Sequence, residues 1–599
     1  MFKMIRELFP LLDARQRKQF CILQILIVIM AFVELIGIAS IAPFMALVGD
    51  ISLIEKNSIY SNLYQLSGLN NSMDFLFYIG VLVLLVLLFS TIISMFTVWR
   101  LSLFGARIGI EIADRLYEYY MQQNWLFHAE GSSAQLTKQI STEAMRVTAG
   151  VIQPLMQVNA KIVLVIFITI TILMLDPVIA LAGLIVFVSA YVILYSLVKK
   201  KLQKNGQNLS NISTKRFRLM NEGFGGIKDI LLLNRHQDFI KRFQRSGQIF
   251  AFAQGSNNAI AQVPRYFMEL VAFGAMIGLV LLLIKSYQGN LGEVLPILSV
   301  YALAAFKLLP ALQQIYGSIT QIKGNAAAFE SIKKDLEMSL NVSKLSIDTL
   351  ELQSLPFKEK ISLQNITFSY PGKSKPAVHN LNMVIPVNSI IGIVGSSGSG
   401  KSTTIDLLLG LLTPQQGDMY IDNVCITEVN KRAWQNKLGF VPQSIYLSEG
   451  TIAENIAFGL PIKDINLVQV TKAIELANLT ELVSQLPNGI NTKVGERGVQ
   501  LSGGQRQRIG IARALYHEAN VLVFDEATSA LDGITEKIIM EAIHDFSGKK
   551  TIIMIAHRLK TVSKCDIIYM MEQGRIVDQG TYQQLLETNP KFKEMAEHA

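Results

Sequence analysis

The sequence predicts a chain of two parts: an α-helical membrane domain of six spans with long cytoplasmic extensions, then an α/β P-loop domain. Three observations carry this expectation. Half of the 599 residues are hydrophobic and only 17% are charged, too apolar a balance for an ordinary soluble chain. The apolar excess is confined to the first part of the chain, in runs near the ~20 residues that a helix needs to cross a bilayer. From Ile361 onward, short β-branched runs (Ile361–Tyr370, Ile390–Val394, Val521–Phe524, Thr551–Ile555) alternate with helical segments, the mark of a largely parallel sheet.

The predicted spans lie at 20–48, 75–98, 155–175, 178–198, 266–284 and 291–309. The first is too long for a cleavable signal. Only Asp176-Pro177 separates the third from the fourth, which implies a tight hairpin on one membrane face. Lys and Arg cluster before span one and after spans two, four and six, so both termini are expected in the cytoplasm. The same topology accounts for most of the formal net charge of +9, and no nucleic-acid partner is expected. The polar stretches Arg100–Gln153 and Lys199–Ala261 hold helix formers and little proline, and read as extensions of the membrane helices. Their turning points, Asn124–His128 and Gly223–Ile227, set aromatics beside helix breakers. The loop Gly49–Asp74 spaces its apolar residues as an amphipathic surface helix would, although an outward extension of the two flanking spans fits equally well. The membrane domain is taken as 1–330, a linker as 331–358 and the second domain as 359–599. Cys21, Cys425 and Cys565 lie too far apart in sequence for a metal or redox motif.

Chemistry concentrates in the second domain. Gly395-Ser396-Ser397-Gly398-Ser399-Gly400-Lys401-Ser402 follows the strand Ile390–Val394 and opens a helix at Thr403, the context of a Walker A loop. Its glycines let the backbone curl around phosphates, Lys401 pairs with them, and the Ser402 hydroxyl is a ligand for Mg²⁺. Val521–Phe524 runs into Asp525-Glu526, a strand-terminal acid pair in which Asp525 supports Mg²⁺ and Glu526 polarises a water. Gln443 supplies an amide within reach of the metal, and His557 follows the strand Thr551–Ile555. Leu501-Ser502-Gly503-Gly504-Gln505 sits at a predicted helix start, where unpaired N–H groups and the positive dipole end favour an anion.

With these motifs in this order, the chain resembles an ATP-binding cassette (ABC) transporter of the exporter type, in the form of a half-transporter. Leu501–Gln505 matches the family's signature motif, Ser529–Asp532 its D-loop, His557 its switch histidine and Tyr370 the aromatic that stacks on adenine. The resemblance implies ATP and Mg²⁺ as cofactors and an ATPase coupled to transport in the bacterial inner membrane. Its ATP-binding residues are Tyr370, Gly395 to Thr403, Ser502 to Gln505 and Asp532; Glu526, His557 and Gln443 are catalytic; Ser402, Gln443 and Asp525 hold the metal. It also implies a dimer, because the signature of one chain faces the Walker A loop of the other. Neither acid nor signature is degenerate, so a homodimer would have two competent sites; a heterodimer stays open. The two breaker-rich turns resemble coupling helices.

The membrane half is similar to bacterial flippases of lipid-linked oligosaccharides in span one, the long first loop and Pro264–Glu269. That resemblance implies membrane lipids and a lipid-linked glycan as partners, with another lipid, a drug or a peptide as the alternative cargo. Arg100, Arg265 and Lys307 are the expected lining of an anion-accepting cavity, since charges in or beside spans are costly and usually functional; Arg265 has a competing structural role as partner of Glu269 one turn away. A soluble cassette ATPase of DNA maintenance would lack the spans, and an ATP-gated channel would share them.

Overall fold

The computed structural model describes residues 6–597 except positions 8, 50, 53, 55–57, 70, 176, 287–290, 343–354, 496–497, 527–532 and 557–558. It divides into two units, 1–123 with 130–346, and 124–129 with 347–599.

In the first unit the apolar runs become helices. α1 (Ala14–Ala39) stops at Ser40 and α2 (Ile41–Gly49) restarts. The helix of the expected first span has an irregular turn at Ser40, where Pro43 has no N–H to donate to the carbonyl of Ala39, and Ala14–Gly49 remains one stretch able to cross a membrane. The first loop forms a separate helix, α3 (Ser58–Ser67). Its Tyr60 and Tyr64 pack with Leu47, Ile54 and Phe75, while Leu63 and Leu66 stay exposed. α4 (Ser72–Met121) runs unbroken for 50 residues from an Asn71 cap that accepts the Met73 N–H. At 1.5 Å per residue it is about 75 Å long, so much of it extends past any bilayer. Phe77, Leu84, Leu88, Phe89 and Ile92 along it are exposed, an apolar belt suited to lipid.

After α5 (Trp125–Glu130) the chain continues through α6 (Ser133–Lys138), a π turn Gln139–Glu143, α7 (Ala144–Val147), a second π turn Thr148–Ile152 and α8 (Gln153–Leu175). α9 (Pro177–Gly225), α10 (Ile227–Leu232), α11 (His236–Gln262), α12 (Pro264–Ser286) and α13 (Leu291–Val342) complete the unit. Among the described residues four helical stretches are long and apolar enough to cross a membrane: Ala14–Gly49, Ser72–Met121, Ser133–Met174 and Gly183–Gly225. The spans expected at 266–284 and 291–309 fall on α12 and α13, partly outside the described side chains, so the count of six rests on the sequence.

The polar stretches of these helices are tied by a buried charge cluster. Glu143, fully buried, accepts from Lys138 at 3.0 Å, from Arg146 at 2.9 Å and from the Ser210 hydroxyl at 2.7 Å. Arg146 also donates to Asn325 of α13. Nearby, a Cβ on Gly206 of α9 would lie 2.3 Å from the Gly324 carbonyl oxygen of α13, so only glycine permits that crossing.

The second unit is built on two sheets. β1 (Lys360–Phe368), β2 (Val378–Pro386), β4 (Gln416–Ile421) and β5 (Val424–Cys425) form an antiparallel sheet in the order β2-β1-β4-β5. This corrects the expectation that the run from Ile361 belongs to the parallel sheet. β2 alternates buried and exposed positions along much of its length, as a strand with one solvated face does. β3 (Ile390–Val394), β6 (Leu438–Val441), β7 (Val521–Asp525), β8 (Thr551–Ile555) and β9 (Ile567–Glu572) lie parallel, with β10 (Arg575–Gly580) antiparallel at the edge, in the order β10-β9-β3-β8-β7-β6. β3 and β8 are buried at every position, which is why their sequences are continuous Ile, Val and Met runs rather than alternating ones.

Removing one member of a buried ion cluster strands the others, at about 3–5 kcal/mol. Glu143→Gln should therefore lower the thermal midpoint of the purified protein sharply, and Lys138→Met with Glu143→Leu and Arg146→Met should recover most of the loss. An unchanged midpoint for Glu143→Gln would contradict the cluster's role.

Candidate nucleotide site

β3 delivers the chain to Gly395 at its carboxyl end, in the interior of the parallel sheet, and α14 (Lys401–Leu408) begins directly after Gly400. Gly395 (φ 152°) and Gly400 (φ 103°) have backbones that side chains rarely adopt, and a Cβ at either would meet the Met571 or Ala377 carbonyl oxygen at 2.2 or 2.7 Å. The loop can therefore be closed only by glycine. Lys401 draws it shut: its ammonium donates to the Gly395 and Ser396 carbonyls at 2.8 and 3.0 Å. Burial holds this ammonium below its ordinary range, opposed by the charges of Glu526 and Asp525. The buried Ser399 hydroxyl has no partner among the described residues. A buried lysine that holds only carbonyls and an orphaned hydroxyl suit an incoming phosphate. Tyr370 closes one side, its hydroxyl 3.3 Å from Thr403 Oγ1 and its ring edge-on to Phe368.

β7 places Asp525 and Glu526 at its carboxyl end, beside β8. Glu526 adopts a left-handed backbone (φ 50°), unusual for a non-glycine residue and a mark of sites where geometry is imposed by function. Gln443 donates to the Glu526 carboxylate at 2.6 Å, and Gln507 donates to the Glu526 carbonyl at 3.3 Å. Asp525 and Ser402 offer Mg²⁺ the hard oxygen ligands it prefers.

Ser502 caps α15 (Gly503–Tyr516) in a capping box: its hydroxyl accepts the Gln505 N–H and its own N–H donates to the Gln505 side chain, the reciprocal arrangement that fixes a helix start. A cavity of about 400 Å³, lined by Gln443, Tyr446, Gly503, Arg506 and Gln507, adjoins this first turn. Among the described residues no hydrogen bond joins Leu501–Gln505 to Gly395–Ser402.

The structure gathers Tyr370, Lys401, Gln443, Asp525 and Glu526 around one loop, while Ser502–Gln505 make no described hydrogen bond to that loop, although Gly503 lines a cavity with Gln443. His557 and the Ser529–Asp532 segment lie outside the described residues. In the first unit Arg265 is bound to Glu269 at 2.6 Å, while Arg100 lies over the Phe96 ring and Lys307 is exposed; none of the three lines a described cavity of the single chain. Two contacts escaped the sequence reading. Gln507 carried no motif signal of its own. The turn 124–129, which resembles a coupling helix in sequence, belongs to the second unit, where Leu126 packs on the core and Trp125 hydrogen-bonds Asp406 of α14. Burial, with Asp525 nearby, pushes the Asp406 carboxyl up to about 6 against that hydrogen bond.

Residues 21–306 match the model of the ABC transporter transmembrane region and residues 378–529 that of the ABC transporter ATP-binding part, described simply as ABC transporter. The chain is 29% identical over 494 residues to the heterocyst differentiation ATP-binding protein HepA of Nostoc sp., covering 81% of this chain and 78% of that one. It is 28% identical over 542 residues to an ATP-dependent lipid A-core flippase of Vibrio vulnificus, covering 87% and 88%. Its fold matches a bacterial Atm1-family ABC exporter with ATP bound, with a TM-score of 0.78 at 22% identity over 98% of this chain and 99% of that one.

A carboxyl raised in the folded state costs stability once it ionises: the cost is absent below the ordinary carboxylate range and fully present above about pH 6. Asp406→Asn, which can still accept from Trp125, should therefore raise the thermal midpoint at pH 8, with a gain that shrinks as pH falls to 5. A gain that grows on acidification would contradict the assigned cause.

Proposed function

The chain belongs to the ABC transporters, with a transmembrane region and an ATP-hydrolysing domain coupled to transport, and from that premise we propose a dimeric flippase of the bacterial inner membrane that carries an amphipathic lipid, in our reading a lipid-linked oligosaccharide. The observation that carries the dimer is the signature helix. Ser502 and the first turn of α15 offer a hydroxyl and free N–H groups, yet make no hydrogen bond to the loop of their own chain. A second copy, placed head to tail, would bring this helix start to the phosphates held by Lys401, where its dipole favours negative charge. We favour two identical chains because both the acid and the signature are intact.

In the chemical step Lys401 holds the phosphates, and Glu526, kept in place by Gln443, accepts the proton of the attacking water. Ser402, Asp525 and Gln443 would hold Mg²⁺, which neutralises phosphate charge when bound. Closure of the two ATP domains would move the docked Trp125 turn and so the long helices joined to it. For the cargo, a cavity of about 380 Å³ in the first unit, lined by Val165, Leu184, Phe187, Met276 and Leu308, suits an apolar tail. Arg100, Arg265 and Lys307 enter this reading as groups that a dimeric cavity would collect. The Vibrio vulnificus relative, described as a lipid A-core flippase, favours a lipid A-like glycolipid as the second reading.

Glu526→Gln should still bind ATP, while turnover falls by about 10²–10⁴, the usual worth of a positioned base; near-normal ATPase activity would sink the assignment. In liposomes, the wild-type protein with ATP should flip a fluorescent polyprenyl-diphosphate glycan faster than a lipid A analogue. The opposite order selects the second reading, and no ATP-dependent flipping of either lipid rejects both.

A further inference from the structure

Lys161 is a cation in the wrong solvent. It lies on α8 about 9 Å inside the predicted third span at 1.5 Å per residue, and no ion pair or hydrogen bond engages it among the described residues. An unpaired charge at that depth is costly and marks a functional pathway or ligand. It lines a cavity of about 310 Å³ whose polar wall is Gln153, Gln157, Gln314 and Ser102 and whose apolar wall includes Met30, Leu101 and Met156. Gln314 Nε2 donates to the Gln157 side-chain Oε1 at 2.6 Å, which leaves the Gln157 amide N–H groups to face an acceptor. The nearest acid on α1, Glu34, does not line the cavity; it accepts from Ser94 at 2.6 Å. One ammonium, neutral amide donors, a hydroxyl and no lining carboxylate make an anion site.

We propose that this cavity binds the phosphate or diphosphate of an amphiphile entering from the cytoplasmic leaflet. Val98, Leu101 and Ser102 fall at the cytoplasmic end of the second span, and Gln314 beyond the sixth, so the cavity lies in the cytoplasmic half of the spans, next to the head groups on that side. Its volume, at about the 300 Å³ lower bound of ligand pockets, is room for a diphosphate head. The amides and lysine hold the anion, and the Met30–Met156 wall receives the first carbons of the tail. The inference rests on the lipid-carrying function proposed above and names the part of the cargo that is recognised; it differs from the sequence expectation, which placed the anion on Arg100, Arg265 and Lys307.

Binding is read without ATP, on full-length protein in detergent, so that it stands apart from flipping. The probe is geranylgeranyl diphosphate, with geranylgeraniol and inorganic pyrophosphate as comparisons. Wild-type protein should bind the diphosphate lipid at least tenfold more tightly than Lys161→Met does, Lys161→Arg should restore most of the affinity, and Gln157→Leu should weaken it. The neutral alcohol should not distinguish these proteins. Pyrophosphate binding as tight as that of the lipid, and equally dependent on Lys161, would overturn the amphiphile and leave a soluble-anion site. Equal affinity of wild type, Lys161→Met and Gln157→Leu, each eluting as a folded species, overturns the site altogether, even where ATP-dependent flipping is observed.

Discussion

A phosphate is held in a protein only where donors have been left unpaired for it, and this chain leaves two such surfaces on one domain. One is the loop closed by Gly395 and Gly400 over the Lys401 ammonium. The other is the first turn of the helix that Ser502 caps. Each has a reason to be rigid: the loop because no side chain fits at its glycines, the helix start because the Ser502–Gln505 box fixes it. Neither satisfies the other within one chain. The dimer we propose rests on that separation.

Glu526 stands between the two surfaces. Its carboxylate is taken by Gln443, and its backbone carbonyl by Gln507 from the signature helix. The acid is thus tied at one end to a loop residue and at the other to the helix that Ser502 caps. A left-handed backbone at this residue is the kind of local cost that persists where the surrounding contacts over-determine it. Across the same domain, Asp406 on the helix after the loop holds Trp125, so a turn that interrupts the membrane-domain sequence is fastened to the element that binds phosphate.

Much of this was legible in the sequence because it depends on local rules. Glycine spacing after a hydrophobic strand located the loop, a serine before a glycine pair marked the helix start, and continuous Ile and Val runs located the buried strands. The long helices α4 and α9 followed from helix formers without proline after the first residue. What was missed depends on contacts between distant residues. The antiparallel sheet of β1, β2, β4 and β5 needs pairing that no single run announces, although the alternation in β2 was visible. The Lys138–Glu143–Arg146 cluster is set by π turns that shift side chains off the 3.6-residue period. Lys161 had a signal, a charge within an apolar span, but its amide neighbours come from helices remote in sequence.

The most direct measurement of the central claim mixes two inactive chains. A Lys401→Ala chain co-purified with a Ser502→Arg chain, each carrying a different tag, forms a heterodimer with one site that has lost both groups and one that has lost neither. If the ATP site is shared between chains, that heterodimer should regain ATPase activity absent from either mutant homodimer. No recovery in a folded, doubly tagged heterodimer would place loop and signature at the same site within one chain and contradict the account.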